Sequence, residues 1–95
     1  MSVLKLTIRA EKDLGEIFAN MAHEFRFFGD EAARRYCEGL KEELEQLARY
    51  PLNGRPEPEI DERTRSQPFR RHTIYYEPDG DGIVVLRVLQ DVVSA

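Results

Sequence analysis

Arg63, Arg65, Arg70 and Arg71 fall within nine positions, and guanidinium groups gathered so closely can grip carboxylates or phosphates with paired hydrogen bonds. His72 and Tyr76 follow on a segment that reads as a strand, where their spacing places both on one side and Arg71 and Tyr75 on the other. An imidazole and a phenol so placed have the groups that general acid–base chemistry requires. The same pair also occurs in sheets where it is purely structural. Cys37, His23 and His72 have no zinc-ligand spacing. Asp79 and Asp81 sit in EPDGDG without the further ligands and terminal glutamate of a calcium loop, so this stretch reads as a turn. No metal or cofactor is expected.

A chain of 95 residues without a linker-like stretch can build one domain, taken here as residues 1–95. Hydrophobic residues make up 41 % and charged residues 34 %, a balance that fits a globular protein rather than a disordered or membrane-embedded one. The net charge of -4 argues against a protein whose main task is gripping nucleic acid. Only three of the fourteen basic residues are lysines, so a local arginine face on an acidic protein is still possible. The single Cys37 excludes an internal disulfide. With no stretch near the roughly 20 apolar residues of a spanning helix, and no signal-peptide pattern at MSVLKLTIRAEKD, a cytoplasmic location without membrane contact is expected.

Those side chains need a scaffold. VLKLTIR, residues 3–9, alternates Leu4, Leu6 and Ile8 with Lys5, Thr7 and Arg9, the pattern of a half-buried strand. From Ala10 the period changes, and Leu14, Ile17, Phe18, Met21, Phe25 and Phe28 fall within an arc of about 100° on a helix. Phe27 lies nearly opposite that stripe, either folded over the loop or exposed for a partner. Gly29 stops this helix and Asp30 can cap a second, giving a short connection and an antiparallel hairpin. The second helix gathers Ala33, Tyr36, Cys37, Leu40, Leu44, Leu47 and Ala48 on one face. On its other face Glu31 with Arg35, Lys41 with Glu45, and Glu45 with Arg49 are spaced to pair. Pro51 ends this helix and opens a proline-rich loop. FRRHTIYY and GIVVLRVLQ then flank the turn EPDGDG, with a weaker strand near Arg63 to Phe69. The class is α+β: an N-terminal strand, a two-helix hairpin and a mostly antiparallel sheet of three C-terminal strands, β-α-α-β-β-β.

This succession resembles the RelE/ParE toxin superfamily of bacterial toxin–antitoxin systems. The resemblance rests on AEKDLGEIF after the first strand, GDEAARRY opening the second helix, LARYPLNGRPEPEI behind it, and the closing RRHTIYYEPDGDGIVVLRVL. Pro51 through Arg55 followed by the His-Thr-Ile-Tyr-Tyr strand looks more like the ParE branch. RelE-like members are ribosome-dependent mRNA endonucleases, whereas ParE-like members are associated with poisoning DNA gyrase. The ParE resemblance implies a ParD-like antitoxin, gyrase as target, and operator DNA reached only through the antitoxin.

Metal-free RNA cleavage needs a base, an acid and cations around the phosphate. RelE-like enzymes tend to place such groups at the end of the last strand. Here that end reads Gln90-Asp91, an amide with no proton to exchange and a carboxylate that repels phosphate. No catalytic residue is therefore expected. Arg65, Arg70, Arg71, Arg87, Phe27, Gln90 and Asp91 are the candidate contacts for target or antitoxin. For Arg87, which strand alternation groups with Ile83, Val85 and Leu89, pairing with a nearby acid is an equal alternative. The resemblance leaves two other functions open: a RelE-like endonuclease, and a toxin fold that retains only antitoxin binding.

Overall fold

Thr7 sets the end of the first strand. Its hydroxyl accepts the Ala10 N–H at 3.0 Å, as a helix N-cap does, and donates to the Leu86 carbonyl at 2.9 Å. The computed structural model describes residues 2–24 and 30–91. The elements are β1 (Leu4–Leu6), α1 (Ile8–Glu24), α2 (Asp30–Arg49), β2 (Arg55–Pro56), β3 (Arg65–Phe69), β4 (His72–Asp79) and β5 (Gly82–Gln90). Strand alternation over residues 3–9 placed Ile8 inside with Leu4 and Leu6. Because the cap at Thr7 turns the chain into α1 two residues earlier, at Ile8 rather than Ala10, Ile8 is instead 85 % exposed.

One five-stranded sheet runs in the order β1-β5-β4-β3-β2. β1 is parallel to β5, with Leu4 opposite Ile83, and the other pairings are antiparallel. The expected α+β fold is present, with the two-residue β2 as an addition to the three expected C-terminal strands. The turn between β4 and β5 uses Gly80 at φ 54°, a conformation open to glycine and costly for most other residues. Of the expected helix pairs, Glu31–Arg35 and Lys41–Glu45 form at 3.2 and 4.0 Å, and Arg34 bridges Glu31 and Glu38. Among the described residues, Glu45–Arg49 does not.

The core lies between the helices and one face of the sheet. Ala10, Leu14, Ile17 and Met21 of α1 and Tyr36, Leu40, Leu44, Leu47 and Ala48 of α2 meet Ile74, Tyr76, Ile83, Val85 and Val88. Each such aliphatic side chain contributes about 1.5–3 kcal/mol on burial. Phe18, expected on this stripe, is 42 % exposed. The buried series on β5 runs Ile83, Val85, Val88, because the ladder slips between Tyr75 and Tyr76: Tyr75 faces Arg87, while Tyr76 faces Val85. This bulge at Leu86 breaks the simple alternation that grouped Arg87 with Val85. Phe25, Phe27, Phe28 and Gly29 lie outside the described residues.

Candidate partner-binding surfaces

The bulge brings Arg87 to α1. Its Nε and Nη2 donate to the two carboxylate oxygens of Asp13 at 2.7 and 3.1 Å, and the Val88 N–H donates to the same carboxylate at 3.0 Å. Hydrogen bonding from Arg87, with that of Val88, outweighs burial and holds the Asp13 pKa below its ordinary value. Of the two readings of Arg87, the structure contains the ion pair. The pair sits in the wall of a polar cleft of about 170 Å³ between α1 and the ends of β4 and β5. Glu16 and Asn20 line the helix side, and Arg71, His72 and Gln90 line the sheet side.

His72 is buried, and its Nδ1 lies 2.6 Å from the Tyr36 hydroxyl. The backbone of Arg71 also hydrogen-bonds to that phenol, while burial raises its pKa. Arg70, at φ 54°, carries its guanidinium 5.5 Å from the ring centroids of both Tyr36 and Phe69. Asp91 accepts the Thr73 hydroxyl at 2.6 Å, and its own N–H donates to the Arg71 carbonyl at 2.8 Å. These bonds close the open end of the β4–β5 hairpin.

Tyr76, midway along β4, is engaged away from the cleft. Its fully buried hydroxyl donates to the Pro51 carbonyl at 2.7 Å and accepts the Gly54 N–H at 2.8 Å. Burial pushes this phenol's pKa up as well. A side chain at Gly54 would run into the Tyr76 hydroxyl, so the close approach requires glycine. Arg65 adds donations to the carbonyls of Leu52 and Gly54 at 3.3 and 2.8 Å.

Of the candidate contacts, Arg71, Arg87 and Gln90 share the cleft wall, and Asp91 is tied to Arg71 beside it. Arg65 does not join them. It faces Tyr76, whereas Phe69 faces His72, so the length of β3, roughly 13 Å, separates it from the cleft. Phe27 lies outside the described residues. Asp13 and Tyr36 were not singled out as functional in the sequence. The signal for Asp13 was an acid set against the apolar stripe of Ala10, Leu14 and Ile17. A second hollow, an apolar groove of about 330 Å³, opens among Leu4, Leu6, Leu14, Phe18, Leu40 and Leu44, with Arg34, Glu38 and Lys41 also in its lining. It accounts for the exposure of Phe18. Among the described residues, no group of three or more His, Cys, Asp or Glu side chains could hold a metal ion, and no helix is long and apolar enough to cross a membrane.

A helical hairpin on this sheet, with a polar cleft where α1 meets β5, defines a toxin domain of the RelE/ParE superfamily. The family profile described as the ParE toxin of the type II toxin–antitoxin system parDE matches residues 4–91, and the chain belongs to that family. A solved structure described as the chromosomal ParDE TA system from P. aeruginosa shares the fold, with a TM-score of 0.74. The two chains are 22 % identical, over 97 % of this chain and 98 % of that one. No match was found among curated proteins.

Proposed function

We propose that this ParE-family toxin acts by binding rather than by catalysis, that it inhibits DNA gyrase, and that a ParD-like antitoxin neutralises it. The observation that carries the non-catalytic reading is the internal engagement of its acid–base candidates. Asp13 is held by Arg87 and Val88, His72 meets Tyr36, Tyr76 meets Pro51 and Gly54, and Asp91 meets Thr73. A general base works when its lone pair is directed at substrate, and those of Asp13, of His72 Nδ1 and of the Tyr76 hydroxyl are directed at the protein's own backbone and side chains, while the exposed Asp91 is engaged through one oxygen. Membership of the ParE family supports gyrase as the target and, with it, action in the cytoplasm.

The apolar groove supports an antitoxin partner. A segment that folds on binding can lay an amphipathic helix or extended stretch over Leu6, Phe18 and Leu44, and the charged residues of the groove can fix its orientation. Operator DNA is then reached only through the antitoxin. Induction of the protein in a bacterium tests the reading. Filamentation with an SOS response, reversed by co-expression of the antitoxin, is expected. Arrested translation with cleaved messages would overturn it in favour of the RelE-like endonuclease.

A further inference from the structure

β3 and β4 form a hairpin in which Phe69 pairs with His72, so Arg70 and Arg71 alone make the turn. The favoured two-residue hairpin turns need a positive φ at their first position, which glycine or asparagine usually supplies. Arg70 stands there instead, at φ 54°, and among the described residues no other non-glycine residue has a positive φ. Its guanidinium rests over the rings of Tyr36 and Phe69. That shelf is rigid. The two rings meet edge to face with centroids 5.4 Å apart, and the Tyr36 hydroxyl is held by His72. The Phe69 ring lies so close to Gly39 of α2 that even a methyl group there would press on it. An exposed cation–π contact returns less than the left-handed conformation costs a residue with a side chain. Packing at this tip therefore does not account for an arginine, and a strained residue at a fixed address is a mark of function. Stacking engages the face of the guanidinium and leaves its edge, which carries the N–H donors, for another partner. Arg70 is exposed, and those donors meet no acceptor among the described residues, whereas Arg65 and Arg87 spend theirs on Gly54 and Asp13.

We propose that Arg70 receives a carboxylate of this toxin's protein target, its guanidinium held flat by the aromatic shelf while the free donor edge takes an Asp or Glu side chain in a two-pronged bond. The inference rests on the binding reading above and adds a contact residue and the chemistry it recognises. Preorganisation favours it: a guanidinium already fixed over two rings loses little side-chain freedom on binding, and its planar fork matches a carboxylate. A single carboxylate fits better than a nucleic-acid backbone. The chain carries a net charge of -4, and Asp91, bonded to Arg71 beside the same turn, adds a negative charge that repels a row of phosphates. Neither Arg70 nor the Tyr36 and Phe69 beneath it lines the apolar groove that the reading above gives to the antitoxin. The contact therefore falls to the target.

The test compares Arg70→Gly and Arg70→Lys with the unmodified toxin in four measurements: melting temperature, affinity for purified gyrase, affinity for the antitoxin, and growth arrest on induction. Glycine suits the turn, so Arg70→Gly is expected to melt at or above the wild-type temperature. Its gyrase affinity is expected to fall about tenfold or more and its growth arrest to weaken, with antitoxin affinity changed less than about twofold. Lysine keeps the charge without the planar fork, so Arg70→Lys is expected to bind gyrase nearly as weakly as the glycine variant. Unchanged gyrase affinity and growth arrest in Arg70→Gly overturn the proposal, and a lowered melting temperature beside them would make the stack a structural contact only. A matching loss of antitoxin affinity also overturns it, as does full recovery in Arg70→Lys. DNA binding by the toxin alone, abolished in Arg70→Gly, would assign the residue to phosphate and overturn it too. Growth arrest without gyrase binding, lost in Arg70→Gly, would sink gyrase as the target while upholding Arg70 as the target contact. A wild-type chain that neither arrests growth nor binds gyrase would overturn both.

Discussion

Asp13 and Arg87, seventy-four positions apart in sequence, meet in a two-pronged ion pair that ties the first helix to the last strand, with 2.7 Å between Nε and Oδ2. The same carboxylate accepts the Val88 N–H. One acid thus satisfies both a side chain and the backbone just past the bulge.

Removing that acid has a pH signature. Because the folded-state pKa of Asp13 is lowered from an ordinary 3.8, its contribution to stability is fully present above that value. It is lost as pH falls through the depressed folded value. Asp13→Asn is expected to be less stable than the wild type from about pH 5 to 7 and to converge with it in acid. Urea midpoints measured across pH 2 to 7 check this. A stability gap that stays constant down to pH 2 would show that the charge of Asp13 is unimportant.

Tyr36→Phe separates structure from catalysis at His72. The variant leaves Nδ1 without its hydroxyl partner in a buried site, a loss of about 1–3 kcal/mol. Thermal unfolding is expected to show that loss, while toxicity per folded molecule stays near wild type. A fall in toxicity of several orders of magnitude at unchanged stability would instead place the pair in a reaction.

Gly54→Ala probes the clamp around the turn after α2. Its new methyl group would occupy the space of the Tyr76 hydroxyl, and Tyr76 is fully buried, so relief requires backbone movement. Overpacking of this kind costs about 1–3 kcal/mol. The expected result is a lower melting temperature together with faster amide exchange at Asn53 and Gly54. Exchange rates equal to wild type would mean that the turn is not held by Tyr76.

The sequence made the two helices, the two long strands and the weaker β3 legible, because their hydrophobic periods run over enough residues to average out local exceptions. What it hid were features set by single contacts. Thr7 looked like an outward strand residue, and only its bonds to Ala10 and Leu86 reveal the cap. Leu86 looked like one more alternating strand residue, although the register slip there decides which way Val88 faces. β2 is held by pairing with β3 and is too short for any pattern. At the site, arginine crowding in sequence suggested one cationic face. In fact Arg65 opens the five-residue strand β3 and Arg70 follows its end, and each is engaged by its own neighbours, Arg65 by the Gly54 carbonyl and Arg70 by the Tyr36 ring. Asp13 escaped notice because helical spacing cannot name a partner seventy-four residues away.

Thr64 offers a prediction of the opposite sign. It is 2 % exposed, and its backbone is fully used: the N–H donates to Asp61 at 3.2 Å and the carbonyl accepts Glu57 at 2.9 Å. Its hydroxyl, however, has no hydrogen-bond partner among the described residues. A buried hydroxyl without a partner gives up its bonds to water and gains nothing in return, at a cost of about 1–3 kcal/mol. Valine has nearly the same shape and replaces that hydroxyl with a methyl group suited to an apolar site. Thr64→Val is therefore expected to stabilise the domain by about 1 kcal/mol, a rise in melting temperature of about 4–8 °C for a chain of this size. Both target and antitoxin binding should be unchanged, since the side chain is inaccessible. Differential scanning calorimetry of the two proteins checks this, and a drop in melting temperature would mean that the hydroxyl is satisfied in solution by an ordered water.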